Sequence, residues 1–490
     1  MRDAIFHIER GGPSSLQSQI RELMVTAILN GQLPPGESIP SSRRMAESLG
    51  VSRNSVSLVY QSLVDDGYLI SRERSGFFVN SDLDIVHLGP QPKRTAPRAP
   101  TGEPVDWTER QQLDFSDHVQ FVRPANWQKY PYPFIYGQVD QGLFPLAAWR
   151  ECSRQALGRK GMDVWTSDTY ALDDPMLIEQ IRSRLLPRRG ILAGEDEVLV
   201  TLGAQNALYL VASLLVREDT TVGIEEPGYQ DAHNIMSLKT RNLRPLDVDE
   251  KGLDPTGPLA GCDYVYTTPS HHYPTTVTLP MERRKALLER AVKDNFIILE
   301  DDYEFETNYM STPIPALKSL DTDGRVIYIG SLSKTLFPGL RLGFMIAPAP
   351  LIASLRRLRQ LMYRHPPNNN QRTAALFLSL GYHDALVHKL NRAYKDRWAC
   401  LGAALDKYMP NMSKAPPFGG TSYWVEGPKK LNAQAVYEAA LEEGVVIEPG
   451  QACFLRTPRP TNVFRLGFSS IPLERIEGGI EILARLIRNA

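Results

Sequence analysis

One stretch, Gly89-Pro-Gln-Pro-Lys-Arg-Thr-Ala-Pro-Arg-Ala-Pro-Thr-Gly-Glu-Pro104, limits this chain more than any other. Proline fixes φ, removes a backbone donor and keeps the residue before it from turning helical, so a run this rich in proline joins neither helix nor sheet. It is expected to be extended and exposed, a tether between domains. Apolar periodicity is lost from Asn80 to about Leu113, which divides the 490 residues into a domain over 1–80, a linker over 81–112 and a large domain over 113–490. Length alone argues for more than one domain. Lys93, Arg94 and Arg98 in the tether read as solvated linker charges.

Before the tether, Leu16, Ile20, Leu23, Met24, Ala27 and Ile28 recur at helical spacing, and Asn30-Gly31 stops them. Ser41 can cap a short helix, Gly50 breaks it, and Ser52 can cap the next, whose Val56, Val59, Tyr60, Leu63 and Val64 share a face. Tyr68-Leu-Ile70 and Gly76-Phe-Phe-Val79 read as the two strands of a small wing. A short helix, a glycine turn and a capped helix make a helix-turn-helix. The second helix begins with Ser52, Arg53, Asn54 and Ser55. Phosphates favour that end of a helix, and Arg and Asn read guanine and adenine edges. Ser41, Ser42, Arg43 and Arg44 open the preceding helix, and Arg72, Arg74 and Gly76 lie on the wing. The whole chain has a net charge of −1, so any attraction to DNA must come from this local patch. The bland alternative is a three-helix scaffold with a solvated surface. Pro40-Ser-Ser-Arg-Arg-Met-Ala-Glu-Ser-Leu-Gly-Val-Ser-Arg-Asn-Ser-Val56, with Asp66-Gly-Tyr-Leu69 and Ser75-Gly-Phe-Phe-Val79, closely resembles the GntR-type winged helix. The resemblance implies that Arg43, Arg53, Asn54 and Ser55 contact double-stranded DNA, with Ser75-Gly76 at the wing tip.

After the tether, strands and helices alternate, which predicts an α/β fold with a mainly parallel sheet. Val326-Ile-Tyr-Ile-Gly330 reads as a buried strand, and Lys334 just beyond its carboxyl end faces the crevice where such sheets bind ligands. The hydroxyls of Ser331 and Ser333 and the guanidinium of Arg341, returned by the Pro338-Gly339 turn, suit a phosphate. An amine beside a phosphate cradle points to an aldehyde cofactor, pyridoxal 5'-phosphate. Gly203, Ala204 and Gln205 turn from the strand Val198-Leu-Val-Thr-Leu202 into a helix whose free N–H groups also suit phosphate. Tyr229 follows another strand and can stack on a pyridine ring. Phe296-Ile-Ile-Leu299 ends in Glu300-Asp-Asp-Tyr-Glu304, and a buried carboxylate there needs a partner such as a protonated ring nitrogen. Asp301 is the first choice and Asp302 the second; Tyr303 can reach the ring oxygen. A magnesium site is the competing reading of these acids, but no Walker-type loop accompanies them. His271 and His272 are adjacent and diverge, so no metal site is expected. Cys152, Cys262, Cys400 and Cys453 are far apart, as in a reducing cytoplasm, and no apolar run is long enough to span a bilayer.

In order, Gly203-Ala204-Gln205, Tyr229, Asp301, Tyr303, Ser331, Ser333, Lys334 and Arg341 resemble the fold-type I aminotransferases. Asn462-Val-Phe-Arg-Leu-Gly-Phe-Ser469 is similar to the segment whose arginine grips a substrate carboxylate, which makes Arg465 the effector-binding candidate. Tyr170, before Asp173-Asp-Pro175, resembles the tyrosine lent to the phosphate by a neighbouring subunit. Two departures stand out. Tyr273-Pro-Thr-Thr276 replaces the family's Asn-Pro-x-Gly, and His233 stands where some relatives place an arginine. Cofactor binding survives these changes, and transamination is expected to be residual at most.

A GntR-like winged helix tethered to such a domain resembles the MocR-type regulators, with their GabR and PdxR branches. The resemblance implies a cytoplasmic DNA-binding transcriptional regulator, a homodimer joined head to tail with exchanged winged helices. It implies that Lys334 holds pyridoxal phosphate and that an effector amine is sensed by aldimine exchange at Lys334. Taurine, γ-aminobutyrate and similar amines are the candidates, and the missing asparagine favours a ligand other than an ordinary α-amino acid. Alternatives are a sensor of pyridoxal phosphate itself, a working aminotransferase with an accessory DNA-binding domain, or a DNA-binding scaffold with an empty pocket.

Overall fold

Three serines set the frame of the N-terminal unit. Ser15 accepts a hydrogen bond from the Ser18 N–H and opens α1 (Leu16–Leu29), Ser41 accepts from Arg44 and opens α2 (Ser42–Leu49), and Ser52 accepts from Ser55 and opens α3 (Arg53–Asp65). Each cap satisfies an N–H that the first helical turn leaves without a partner. Gly50, with φ of 63°, ends α2 in the left-handed conformation that glycine adopts without strain. Ile20, Met24 and Ile28 of α1, Met45 and Ala46 of α2, and Val56, Tyr60 and Leu63 of α3 are buried together. Leu69 and Val79, from the hairpin β1 (Leu69–Arg72) and β2 (Gly76–Val79), complete this core. The apolar face of α1 begins later than its spacing suggests, since Leu16 is 38 % exposed.

These coordinates come from a computed structural model, which describes residues 8–10, 14–83, 105–113, 115, 118, 121, 123–413 and 418–489. Lys93, Arg94 and Arg98 lie outside the described residues. The chain divides into two compact units, Met1–Gln112 and Leu113–Ala490.

The larger unit is built on an eight-stranded sheet. Its strands are β3 (Val198–Thr201), β4 (Val222–Glu226), β5 (Leu243–Asp249), β6 (Gly252–Leu253), β7 (Tyr264–Thr267), β8 (Ile297–Asp302), β9 (Val326–Ser331) and β10 (Gly343–Ile346). Their order is β3-β10-β9-β8-β7-β4-β5-β6. The run from β9 to β5 is parallel, whereas β10 is antiparallel to both of its neighbours. The sheet is buried on both faces, which is why its strands read as continuous apolar runs. Val198, Val200, Tyr328, Phe344 and Ile346 pack on one face, and Leu199, Ile329 and Met345 on the other. A smaller sheet combines β11 (Ser422–Glu426), β12 (Glu448–Pro449) and β13 (Val463–Gly467) in the order β11-β13-β12.

The register places the functional residues. Ser331 pairs with Gly343, which in turn pairs with Thr201, so the ends of β9 and β3 meet on either side of β10. A Cβ on Gly343 would come within 2.8 Å of the Gly203 Cα, so this approach requires glycine. The acids after Leu299 close β8 at its carboxyl end, as the sequence suggests, and the strand runs through Asp302. Glu300 accepts from the backbone N–H groups of Leu317 and Lys318, both at 2.8 Å. Asp302 accepts from Arg189 at 2.6 Å and from Tyr328 at 2.9 Å. These partners let the strand carry its carboxylates inside.

Glu306 lacks such support. Neither of its carboxyl oxygens accepts a hydrogen bond, and His383 Nε2 stands 3.8 Å from one of them. Burial, with the Asp302 charge adding to it, pushes this carboxyl from 4.5 up to about 8. The folded protein keeps a proton that the unfolded chain releases, so ionisation lowers stability as pH rises between those values. Glu306→Gln is therefore expected to gain stability over the parent progressively from about pH 5 to 8, by up to about 1.4 kcal/mol per pH unit, and then level off. Urea unfolding across that range checks this, and a pH-independent difference would contradict it.

Candidate functional site

The carboxyl ends of β3, β8 and β9 meet at a cavity of about 320 Å3 whose wall includes Ala204, Asp301 and Lys334. The Lys334 amine lies 3.9 Å from the centre of the Tyr136 ring and 5.5 Å from that of Tyr303. A Cβ at Gly137, whose φ is 77°, would come 2.9 Å from the amine. Burial brings the lysine down to about 8, although the Glu304 charge opposes the shift. A buried lysine of this kind is part neutral near physiological pH and nucleophilic.

Asp301 accepts from the Tyr266 hydroxyl through Oδ2 at 2.9 Å, while its buried Oδ1 has no partner among the described residues. Burial pushes its carboxyl up to about 7. Asp302, the next residue, is committed to Arg189, and successive strand residues point to opposite sides. Only Asp301 of the two lines the cavity. Gly203, with φ of 88°, is not itself in the wall; it precedes the lining residues Ala204 and Gln205 and supplies no side chain to cap α4 (Ala204–Leu215). The Arg341 guanidinium packs over Gly203, at 3.2 Å from where a Cβ would stand, and donates to the Leu202 carbonyl at 2.8 Å. The Ser331 hydroxyl accepts from the Ser333 N–H at 3.2 Å. Ala204, Gln205, Ser331, Ser333 and Arg341 all line the cavity, forming a seat for an anion.

Tyr229 packs edge-on against Tyr273 at 5.0 Å and donates its hydroxyl to Asp231 at 3.1 Å. The Tyr303 hydroxyl donates to the His271 carbonyl at 2.8 Å, so toward a ligand in this arrangement it is an acceptor. Arg465 is buried between the rings of Tyr136 and Tyr273, at 3.9 and 4.3 Å. Its Nε and Nη2 donate to Glu448 Oε2 at 3.0 and 2.7 Å, and Nη2 also donates to the Tyr273 hydroxyl at 2.9 Å. Burial works against this charge, but Tyr273 and Glu448 outweigh it and hold the guanidinium well above its ordinary value. Tyr170 is not part of the wall; it is 66 % exposed, with the Arg364 guanidinium 5.8 Å from its ring.

On the N-terminal unit, Arg53 and Asn54 are exposed at the start of α3, and Arg43 and Arg44 at the start of α2. Arg43 makes an exposed ion pair with Glu47 at 3.2 Å, a weak tie. Arg72, Arg74 and Gly76 are exposed on the hairpin, with Arg72 lying 4.6 Å over the Phe78 ring. Ser42 is half-buried, Ser55 shares a hydroxyl–hydroxyl contact of 2.8 Å with Ser52, and the Ser41 and Ser52 oxygens are occupied as helix caps.

The cavity wall also includes Arg123, Tyr136, Gly137 and Glu448, none of which belongs to the sequence motifs above. Glu448 had a readable signal, since it follows the apolar Val445-Val-Ile447 as the acids follow Leu299. Tyr136-Gly137 after Pro133-Phe-Ile135 is a fainter version of the same pattern, and Arg123 has none. The orphaned Asp301 Oδ1 needs an N–H donor, Lys334 an electrophilic carbon, and the uncapped helix with Arg341 an anion. A phosphorylated pyridine aldehyde supplies all three.

Residues 16–79 match the family described as bacterial regulatory proteins, gntR family, and residues 171–483 match aminotransferase class I and II. The chain is 42 % identical over 483 residues to the HTH-type transcriptional regulator TauR of Rhodobacter capsulatus, covering 99 % of each chain. It is 28 % identical to the probable rhizopine catabolism regulatory protein MocR of Rhizobium meliloti, over 97 % of this chain and 94 % of that one. Among solved structures, LysN, the α-aminoadipate aminotransferase of Thermus thermophilus complexed with N-(5'-phosphopyridoxyl)-L-leucine, superposes with a TM-score of 0.70 at 27 % identity. That match covers 79 % of this chain and 99 % of that one. The cofactor of this chain is pyridoxal 5'-phosphate, and the N-terminal unit binds DNA.

Two outcomes follow for these surfaces. The rate at which cofactor-free protein takes up pyridoxal phosphate should rise with pH through a midpoint near 8, since only neutral Lys334 attacks the aldehyde; stopped-flow absorbance reads it, and a midpoint near 10 would contradict the buried lysine. Arg53→Ala should weaken specific promoter binding by about 1–3 kcal/mol without altering the cofactor band, measured by fluorescence anisotropy at fixed salt.

Proposed function

We propose that this chain, which belongs to the MocR-type transcriptional regulators, uses its pyridoxal phosphate cavity to sense a primary amine and converts that event into a change of promoter affinity. One observation carries the sensing role. The cavity keeps Lys334 and the orphaned Asp301 Oδ1, the groups that suit the cofactor, yet Arg465 is already matched by Glu448 and Tyr273. The arginine that grips a substrate carboxylate in the enzymes is thus spent within the protein. Amine binding is retained and α-carboxylate binding is blunted, which suits a sensor better than a transaminase.

When bound, the cofactor offers an aldehyde carbon open to primary amines and a protonated ring that withdraws electrons. Asp301 Oδ1 would accept the ring N–H. Ser331, Ser333, Arg341 and the first N–H groups of α4 would hold the phosphate. Tyr229 would flank the ring, and the Tyr303 hydroxyl would lie toward its oxygen. Lys334 has its amine held between Tyr136 and Tyr303, away from bulk water, and so is poised to be exchanged for a free amine. An effector that binds one arrangement of this unit better than another shifts the population toward it, and the tether passes the shift to the winged helix.

The working unit in this reading is a cytoplasmic homodimer, head to tail, with Tyr170 of each subunit reaching the phosphate of the other. Arg43, Arg53, Asn54 and Ser55 read the operator, with Ser41, Ser42, Arg44, Ser52, Arg72, Arg74 and Gly76 supporting them on the backbone. Taurine is the first amine to test, because the departure at Tyr273 removes a carboxylate-side asparagine and the relative TauR spans the same two domains.

The test is an absorbance titration of the purified protein with taurine, γ-aminobutyrate and alanine, in parallel with Lys334→Ala. The expected result is a cofactor band that Lys334→Ala loses and that one amine shifts, with promoter affinity changing over the same concentrations and no sustained keto-acid turnover. Steady turnover with alanine would establish an enzyme instead. A wild-type protein that takes up no pyridoxal phosphate would overturn the reading.

A further inference from the structure

Four cations line the cavity of the larger unit: Lys334, Arg341, Arg465 and Arg123. Lys334 serves the aldehyde, and Arg341 sits over Gly203 at the anion seat. Arg465 is electrically matched, since Glu448 Oε2 accepts from it at 3.0 and 2.7 Å. Their pairing is built into the small sheet, where Glu448 and Arg465 are register partners on adjacent strands. A ligand acid brought to Arg465 would have to share it with a second buried carboxylate, and displacing Glu448 would strand that charge away from water.

Arg123 is different. Its Nη1 donates to the Tyr136 carbonyl at 3.0 Å, and its side chain is otherwise exposed at the cavity wall. Among the described residues no carboxylate pairs with it. Among the same residues Lys334 and Arg341 lack a carboxylate partner too, but they serve the aldehyde and the phosphate, so Arg123 is the cation left for a ligand's acid. The position in the chain matters as much. The larger unit begins at Leu113, so Arg123 lies in the first stretch after the tether. Its bond to Tyr136 joins that stretch to the centre of the site, because the Tyr136 N–H donates to Glu448 at 3.1 Å and the Tyr136 ring stands 3.9 Å from the Lys334 amine.

We infer that Arg123 receives the acidic group of the effector, which is thus a primary amine bearing a carboxylate or sulfonate, and that this contact carries the binding event into the tether. The inference rests on the amine-sensing reading above and adds the second half of the ligand to it. Capture of the acid adds a second tie between Arg123 and the cavity beside its Tyr136 bond; an amine without an acid adds none. The cofactor reads the amine, and the entrance of the tether reads the acid.

The experiment uses full-length, cofactor-loaded protein, titrated by absorbance with taurine, γ-aminobutyrate and acid-free propylamine in wild type, Arg123→Gln and Arg123→Lys. An unchanged cofactor band in each variant confirms an intact site before titration. Arg123→Gln is expected to weaken the preferred acid-bearing amine at least tenfold and propylamine less than twofold, and Arg123→Lys to recover most of the loss. Taurine and γ-aminobutyrate separate sulfonate from carboxylate. The inference is overturned if Arg123→Gln leaves the acid-bearing amines unaffected, if it weakens all three alike, or if wild type shows no preference for an acid. A wild-type band that responds to no amine ends the amine-sensing reading and this inference together, whereas a response without acid selectivity ends only the inference.

Discussion

Three carboxylates buried in succession in one strand are the constraint on which the larger unit depends. Glu300, Asp301 and Asp302 are all inside β8, where an ionised group without partners costs several kcal/mol. The fold meets that cost for Glu300 through both oxygens and for Asp302 through Oδ2. Two backbone N–H groups at the start of the helix Leu317–Leu320 hold Glu300, and Arg189 with Tyr328 holds Asp302. Strand alternation turns Asp301 the other way, toward the cavity, where Tyr266 satisfies one oxygen and nothing satisfies the other. The remaining oxygen is a standing demand for an N–H donor, and the lysine and the anion seat are arranged around the molecule that answers it.

In the amine-sensing reading proposed above, the same economy of charge sets this site apart from a transaminating one. An aminotransferase needs a free cation to hold the substrate carboxylate while the chemistry proceeds. Here Arg465, the guanidinium that reading assigns to this place, is sandwiched by two tyrosines and matched by Glu448. Tyr273 takes part in both the sandwich and the hydrogen bonding, so the departure visible in the sequence and the ion pair visible only in the structure belong to one change. In that reading, the polar groups that would bind an α-amino acid are turned toward each other.

How much of this was readable depended on distance along the chain. Lys334, Ser331, Ser333 and Arg341 fall within a dozen residues and are legible as a group, as are the capped helices at Ser41 and Ser52. The sequence placed Asp301 ahead of Asp302 without separating them, because both follow the same apolar run; it took the direction of each side chain along β8 to do so. Arg465 was legible from its segment, but its partner was not, since Glu448 meets it across two strands. Tyr136 is further removed, with Glu448 312 positions away, and no local pattern reveals such a contact. The acids were legible at the carboxyl end of β8, but what lets them be buried was not, since Arg189 and the Leu317 helix reach them from distant parts of the chain. Local chemistry could be read from the sequence, while long-range pairing needed coordinates.

The anion seat is itself a long-range object. Arg341 donates to the Leu202 carbonyl across 139 positions, and Gly343 presses on Gly203 with no room for a side chain between them. Such contacts form only after much of the intervening chain has been ordered, because closing a long loop must precede any gain from the contact. The two halves of the seat are not joined in a partly folded domain. A ligand held there is bound to the finished fold and to no earlier state, and it stabilises that fold in proportion to how tightly it is held. Loading with cofactor is in this sense a quality mark: a chain whose β3 and β10 have not come together has no place for it.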